Sequence, residues 1–145
     1  MYTEELALLI PIVYAIILGG LIGWQREKQG KWAGPRTHAL VAGGSALFTL
    51  LSVTAFGPNN APVAAGIVTG IGFLGAGTIL RKEDRVEGLT TAAGLWMAAA
   101  IGMASGLQFY ILSIATSVLV LLLLMFDDSK FKKSVPEKIK NKKIR

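Results

Sequence analysis

The sequence predicts an all-α membrane protein, a bundle of five transmembrane helices with its amino terminus outside and its carboxyl terminus in the cytoplasm. Apolar residues make up 52% of the 145 residues and charged residues only 17%, below the roughly 25% of an average soluble domain. The mean hydropathy is +0.54, and the charges are confined to a few short stretches. Because the chain has no cysteine, disulfides, thiolate catalysis and cysteine-ligated metals are excluded.

Five tracts contain no Asp, Glu, Lys or Arg, and each is 17 to 20 residues long: 6–24, 37–56, 63–80, 89–105 and 109–126. A helix of about 17 to 25 apolar residues crosses the hydrocarbon core of a bilayer. Since lipid offers no hydrogen-bond partners to the backbone, each tract is expected to be helical. The sequence therefore predicts a transmembrane domain over residues 1–126 and a short basic cytoplasmic tail over residues 127–145.

The basic residues predict how the spans are oriented. All 15 Lys and Arg fall on one side of the five-span arrangement: four in the first loop, three in the third and eight in the tail. Lys and Arg accumulate in cytoplasmic loops, so the amino terminus is expected outside. The first tract could instead be a cleaved signal peptide, but Glu4 and Glu5 precede it where a signal peptide is basic. We therefore expect it to remain as a span.

Small residues recur at helical spacing within the spans. Lipid tails compete with apolar side chains, so membrane helices associate mainly through close backbone packing, which small residues permit. The third span has the highest density of glycine and is predicted at the centre of the bundle, whereas the leucine-rich fifth span is expected to face lipid. The glycines serve internal packing, or one stripe forms a docking face for another copy or another membrane protein. The candidate packing residues are Gly19, Gly23, Gly70, Gly72, Gly75, Gly77, Gly94 and Gly102.

A second group of candidates lies at the predicted cytoplasmic edge. Residues 33–38 resemble a tight turn that leads into a helix, with Thr37 as a cap, and Thr90 and Thr91 enter the fourth span in a similar way. Two capped helix starts on one side would direct backbone N–H groups at an anion or an acidic group. The lone His38 is expected to make a structural hydrogen bond, or to act as a titrating switch or metal ligand. The predicted binding motif consists of Arg26, Glu27, Arg36, Thr37, His38, Thr90 and Thr91.

No carboxylate lies inside a predicted span. Mg²⁺ sites are normally built with carboxylates, so an intramembrane ion path would have to use hydroxyl groups and backbone carbonyls. The acids at the cytoplasmic edge are solvated loop residues or members of simple ion pairs, or they form a site for a cation or a partner. The candidate metal ligands are Glu27, Glu83, Asp84 and Glu87.

Enzyme signatures are absent from the sequence. It contains no G-x-x-x-x-G-K-[ST] loop, no H-E-x-x-H motif and no recognisable Ser/His/acid set, so catalysis is not expected. The eight basic residues of the tail are expected to lie on the anionic surface of the lipid bilayer rather than to bind nucleic acid.

Four ordered blocks carry a family resemblance: GGLIGWQRE at 19–27, AGPRTHALV at 33–41, GIGFLGAG at 70–77 and GLTTAA at 88–93 with Trp96 after it. Over about residues 6–126 the chain resembles the MgtC/SapB family of bacterial inner-membrane proteins. Gln25 stands where an acidic residue is common, and the soluble cytoplasmic domain of longer members is not expected here. The positions that match the family motifs are Arg26, Arg36, Thr37, Gly70, Gly72, Gly75, Gly77, Gly88 and Thr91.

The resemblance implies a multi-pass protein of the bacterial inner membrane with a role in magnesium homeostasis. It leaves two functions open. The chain is a non-enzymatic regulator of other membrane complexes, such as the F-type ATP synthase, through helix–helix contacts, or it is a transporter or channel for Mg²⁺ or another cation. Both functions are compatible with a homo-oligomer.

Overall fold

The computed structural model describes residues 2–57, 61–83 and 85–126. The predicted tail over 127–145 and Asp84 lie outside these residues. In chain order the elements are α1 (Tyr2–Ala7), α2 (Leu9–Lys28), α3 (Pro35–Phe56), α4 (Ala61–Gly77), β1 (Leu80–Arg81), β2 (Val86–Glu87), α5 (Leu89–Gly106) and α6 (Tyr110–Met125). Leu8, between α1 and α2, has helical backbone angles, so the two helices continue one another.

The predicted fold class is confirmed. Three helices are long and apolar enough to cross a membrane: Glu5–Lys28, Pro35–Phe56 and Leu89–Gly106. The other two predicted spans are the shorter apolar helices α4 and α6, of 17 and 16 residues, which correspond to about 24–26 Å at 1.5 Å per residue. The outside position of the amino terminus stays a prediction.

Close contacts of α3 with α2 and α5 form the centre of the bundle. A Cβ atom at Gly19 of α2 would lie 2.5 Å from the carbonyl oxygen of His38, and one at Gly102 of α5 would overlap the carbonyl oxygen of Ala42. Both glycines therefore let a neighbouring backbone approach to a distance that any side chain would prevent. The small-residue stripes of the first and fourth predicted spans serve internal packing.

The predicted central position of the third span is wrong. Its helix α4 lies at the edge of the bundle, where only Ile71 and Gly75 are buried. A Cβ atom at Gly66, Gly70 or Gly72 would meet nothing within 4 Å. The physical reason is that α2 and α5 already cover α3 through their own glycines, which leaves α4 to pack with one side, mainly on α5. By contrast α6 exposes most of its leucines, as expected of a lipid-facing helix.

The third tract also ends differently from the prediction. Helix α4 stops at Gly77, and the apolar Leu80 that prolonged the tract belongs to a short hairpin in which Leu80 pairs with Glu87 and Arg81 with Val86. Gly88 follows the hairpin with φ of +89°, and a Cβ atom there would overlap the carbonyl oxygen of Thr78. Only glycine fits this turn without strain.

The packing of α5 on α3 predicts that Gly102→Ala destabilises the protein. The added methyl group would overlap the Ala42 carbonyl, and such overpacking costs about 1–3 kcal/mol. We expect a lower midpoint of thermal unfolding in detergent. The matched control is Gly72→Ala, whose methyl group meets nothing and whose helix propensity is higher than that of glycine. Equal midpoints for the two variants would contradict this packing.

Candidate functional site

Most residues of the predicted binding motif lie at one end of the bundle, where the last turn of α2 meets the first turns of α3 and α5. We call this the basic end. Gly23 brings α2 and α3 together there, because a Cβ atom at Gly23 would lie 2.5 Å from the Gly34 carbonyl oxygen and from Pro35 Cα. Gly94 leaves room for the His38 ring, whose Nε2 would lie 3.3 Å from a Cβ atom at that position.

Arg26 is the central charged residue of the basic end, and it is only 2% exposed. Its Nη1 donates to Gln29 Oε1 over 3.1 Å, and its Nη2 donates to Thr91 Oγ1 of α5 over 3.3 Å. Among the described residues, its Nε has no hydrogen-bond partner and no carboxylate forms an ion pair with it. The guanidinium therefore joins α2 to α5 through neutral oxygens of the described residues.

His38 makes the structural hydrogen bond that was predicted for it. The ring is fully buried, and Nδ1 lies 3.1 Å from the carbonyl oxygen of Gly34. Because a carbonyl oxygen only accepts hydrogen bonds, Nδ1 must carry the proton, which leaves Nε2 as an acceptor in the neutral ring. Nε2 is buried and has no partner among the residues that the structure describes.

The prediction that threonines cap the two helix starts is wrong. Helix α3 begins earlier, at Pro35 after Gly34, and α5 begins at Leu89 after Gly88. Neither glycine offers a side-chain hydrogen bond to the helix start. A proline at the first helical position was the signal for the earlier start of α3. Thr91 is instead buried and accepts from Arg26. The first-turn N–H groups of α5 therefore lack a side-chain cap.

The remaining motif residues are exposed: Glu27, Arg36, Thr37 and Thr90. Among the candidate metal ligands, Glu27 lies in the last turn of α2. Its Oε1 would lie 3.5 Å from a Cβ atom at Gly34. Within the described ranges no three His, Asp or Glu side chains come together to hold a metal ion. Asp84 lies outside those ranges, so the metal site stays a prediction.

Glu87 forms the simple ion pairs that were the alternative to a metal site. Its carboxylate lies 2.9 Å from Lys82 Nζ and 2.7 Å from Arg85 Nε. The hydrogen bond from Lys82, with that from Arg85 and the two positive charges, lowers the pKa of the Glu87 carboxyl below its ordinary value. Both cations are about half exposed, so solvent screens these pairs.

Two glutamines at the basic end were not predicted. Gln25 Nε2 and Gln29 Nε2 both donate to the carbonyl oxygen of Leu124, over 3.1 and 2.8 Å. They attach the end of α6 to the end of α2. Both glutamines lie close to Arg26 in sequence, at the end of α2, and this was the available signal of a polar role. Their spacing does not identify an acceptor that is 95 or more residues away.

Two exposed tryptophans flank the basic end. Trp24 is exposed, and Lys28 Nζ lies 3.7 Å from the centroid of its ring. Trp32, in the loop before α3, is 64% exposed. Exposed Trp beside Lys and Arg at a helix end is typical of the membrane–water interface, and the ammonium over the indole is a cation–π contact. We therefore expect the basic end to lie at the depth of lipid headgroups.

The lowered pKa of Glu87 predicts how the hairpin responds to pH. A carboxyl whose pKa is lowered in the folded state stabilises that state above the unfolded pKa, and this effect is lost as the pH falls through the lowered pKa. In an NMR titration of the Glu87 carboxyl we expect a higher pKa in Lys82→Gln than in the natural chain. The same pKa in both proteins would mean that the Lys82 pair does not persist in solution.

Comparison with known proteins places this arrangement in a family. A sequence model described as the MgtC family matches residues 12–131. The chain is 45% identical over 125 residues to "Putative magnesium transporter YhiD" of Escherichia coli K12, an alignment that covers 80% of this chain and 58% of that protein. It is 44% identical over 122 residues to MgtC of Salmonella typhimurium, covering 81% of this chain and 53% of the relative.

A third relative, MgtC of Brucella abortus, is 50% identical over 93 residues, which cover 63% of this chain and 39% of that protein. The chain spans about half the length of the relatives that it matches. No solved structure matches it. The length of the family match and the apolar helices together show that the chain belongs to the magnesium-related MgtC family of multi-pass proteins of the bacterial inner membrane.

Proposed function

We propose that this protein is a non-enzymatic regulator linked to magnesium homeostasis, which acts on other complexes of the inner membrane through helix–helix contacts made by α4. The observation that carries this proposal is a row of small residues along α4 that no other part of the described chain covers. We call this row the open face of α4. It consists of Ala65, Thr69, Gly72 and Ala76, all of which are exposed.

The spacing of these residues places them on one side of the helix. Steps of four, three and four residues follow the helical repeat closely, and the two buried residues, Ile71 and Gly75, lie on a neighbouring side of the helix. A Cβ atom at Gly75 would lie 3.6 Å from Ala92 Cβ, so that neighbouring side packs on α5. Since small residues allow helices in lipid to approach closely, the open face is suited to pack on a helix of another membrane protein.

An apolar groove of about 490 Å³ lies between α3 and α4, on another side of α4 than the open face. Its α4 wall includes Gly66 and Gly70, where a Cβ atom would meet nothing within 4 Å among the described residues. The groove is a second uncovered surface of α4, with space for bulky apolar side chains. Residues that line it include Leu40, Val41, Phe48, Gly66, Gly70 and Leu74.

The other small-residue stripes are not available for docking. The backbone of α3 and of the turn before it occupies the space beside Gly19 and Gly23 of α2 and Gly102 of α5. The hypothesis of an exposed stripe therefore applies to α4 rather than to α5. The family resemblance suggests the F-type ATP synthase as a partner to test, and a second copy of the chain is the other candidate.

This proposal predicts that bulky substitutions on the open face abolish regulation without unfolding the protein. Gly72→Leu and Ala76→Leu would each prevent close helix contact at a cost of about 1–3 kcal/mol, which corresponds to about 5- to 150-fold less complex. The measurements are growth of the source bacterium at limiting Mg²⁺, recovery of crosslinked partners, and ATP-driven proton pumping by inverted membrane vesicles.

The matched control is Ala55→Leu, which adds the same side chain at an exposed position of α3. We expect the control to behave like the natural chain in all three measurements. If Gly72→Leu and Ala76→Leu also behave like the natural chain, α4 is not the contact element and the proposal fails.

A cation transporter is the second candidate function, and the name of the Escherichia coli relative favours it. In this case the purified chain in liposomes should carry Mg²⁺ down a gradient, and Glu27→Gln or Asp84→Asn should abolish the flux, because carboxylates are the usual protein ligands of Mg²⁺. Flux that the carboxylate variants remove but Gly72→Leu leaves intact would favour transport over regulation. The absence of flux from protein that still supports growth at low Mg²⁺ would favour the regulator.

A further inference from the structure

We propose that the chain binds a phosphate group at the junction of α2, α3 and α5, where Arg26 is buried. The site consists of Arg26, Gln29, Thr91 and the first turn of α5, and we call it the Arg26 site. It is separate from the open face of α4, so it goes beyond the regulatory contact proposed above. The ligand is either the phosphate of a lipid headgroup or free phosphate.

The first argument is charge. A guanidinium has five N–H donors and is always charged, yet within the described part of the chain the Arg26 side chain bonds only to the neutral oxygens of Gln29 and Thr91. In the same part of the chain its buried Nε has no partner and no carboxylate pairs with it. Burial of a charge is costly unless the charge is paired. An anion that entered the site would supply the missing partner.

The second argument is the start of α5. Its N-cap, Gly88, offers no side chain, so the N–H groups of the first turn are open at the positive end of the helix dipole. Thr91 is the third residue of this helix, and its hydroxyl receives the hydrogen bond from Arg26. The Arg26 guanidinium is therefore directed at the helix start. These groups favour an anion, and their charge disfavours a metal cation.

The position of the site relative to the membrane indicates that the anion is a phosphate group. Trp24, Lys28 and Trp32 mark the basic end as lying at the membrane–water interface, where lipid phosphates lie. The exposed Lys31 and Arg36 add positive charge around the approach from water. The planar fork of a guanidinium matches the oxygens of phosphate and binds two of them at once.

Gln29 covers the site on its solvent side. Its side chain is exposed, and its Oε1 occupies the Nη1 donor of Arg26. The amide oxygen is neutral, whereas a phosphate oxygen carries negative charge and two phosphate oxygens can accept from the guanidinium at once, so phosphate would displace this amide oxygen. Removal of the Gln29 side chain should therefore strengthen phosphate binding rather than weaken it.

The test uses the intact chain in neutral detergent. Inorganic phosphate is titrated against chloride at equal ionic strength while thermal unfolding is followed, and phosphatidylglycerol is added separately and its retention measured by native mass spectrometry. We expect at least one probe to bind. Arg26→Gln should weaken that binding about tenfold or more, because a hydrogen-bonded charge is lost. Gln29→Ala should strengthen it, and Arg36→Gln, the matched control for a basic residue at the same end, should change it much less.

Stabilisation by inorganic phosphate supports a site for free phosphate, whereas retention of phosphatidylglycerol alone supports a headgroup site. Binding of neither probe to the natural chain overturns the proposal, as does equal binding by Arg26→Gln and Arg36→Gln. If Arg26→Gln does not fold, Gln29→Ala decides, and unchanged or weaker binding by it overturns the proposal. Neither probe reports on the open face of α4, so failure here is distinct from failure of the regulatory function.

Discussion

The close approach of α3 to its two neighbours is the contact on which the rest of the structure depends. Glycines on α2 and α5 bring these helices against the backbone of α3 at Gly19 and Gly102. In lipid this packing replaces the hydrophobic effect as the source of association between helices. Because the contacts involve backbone atoms, no rearrangement of side chains could relieve an added methyl group.

This packing determines what remains for the other helices. Once α2 and α5 cover α3, α4 contacts mainly α5 and a small part of α3 within the described residues. Its open face and the groove between α3 and α4 follow from that arrangement. The same approach brings the last turn of α2 to the start of α5, where Arg26 reaches Thr91. The exposed helix face and the buried charge are thus two results of one arrangement.

The number and limits of most helices were predictable from sequence, because lipid requires long apolar tracts and admits few charges. The stripe of small residues that includes Gly102 was recognisable because helices in lipid pack closely through small residues. The position of α4 was not predictable, since glycine density permits close packing and does not require it. The predicted span began at Thr37, which resembles a helix cap, whereas α3 begins at Pro35. A proline at the first helical position was the better signal. The contact of Arg26 with Thr91 joins positions 65 residues apart, which no local pattern specifies.

Two neighbouring residues of α5 lie between the Arg26 site and α4. Thr91 accepts the hydrogen bond from Arg26, and Ala92, the next residue, contacts α4 at Gly75, on the side that packs on α5. A shift in the first turn of α5 would therefore change both contacts together, because rigid secondary elements carry coupling between sites. In the regulator that we propose, this connection through one peptide unit would link binding at the Arg26 site to the position of α4, and with it to the position of the open face.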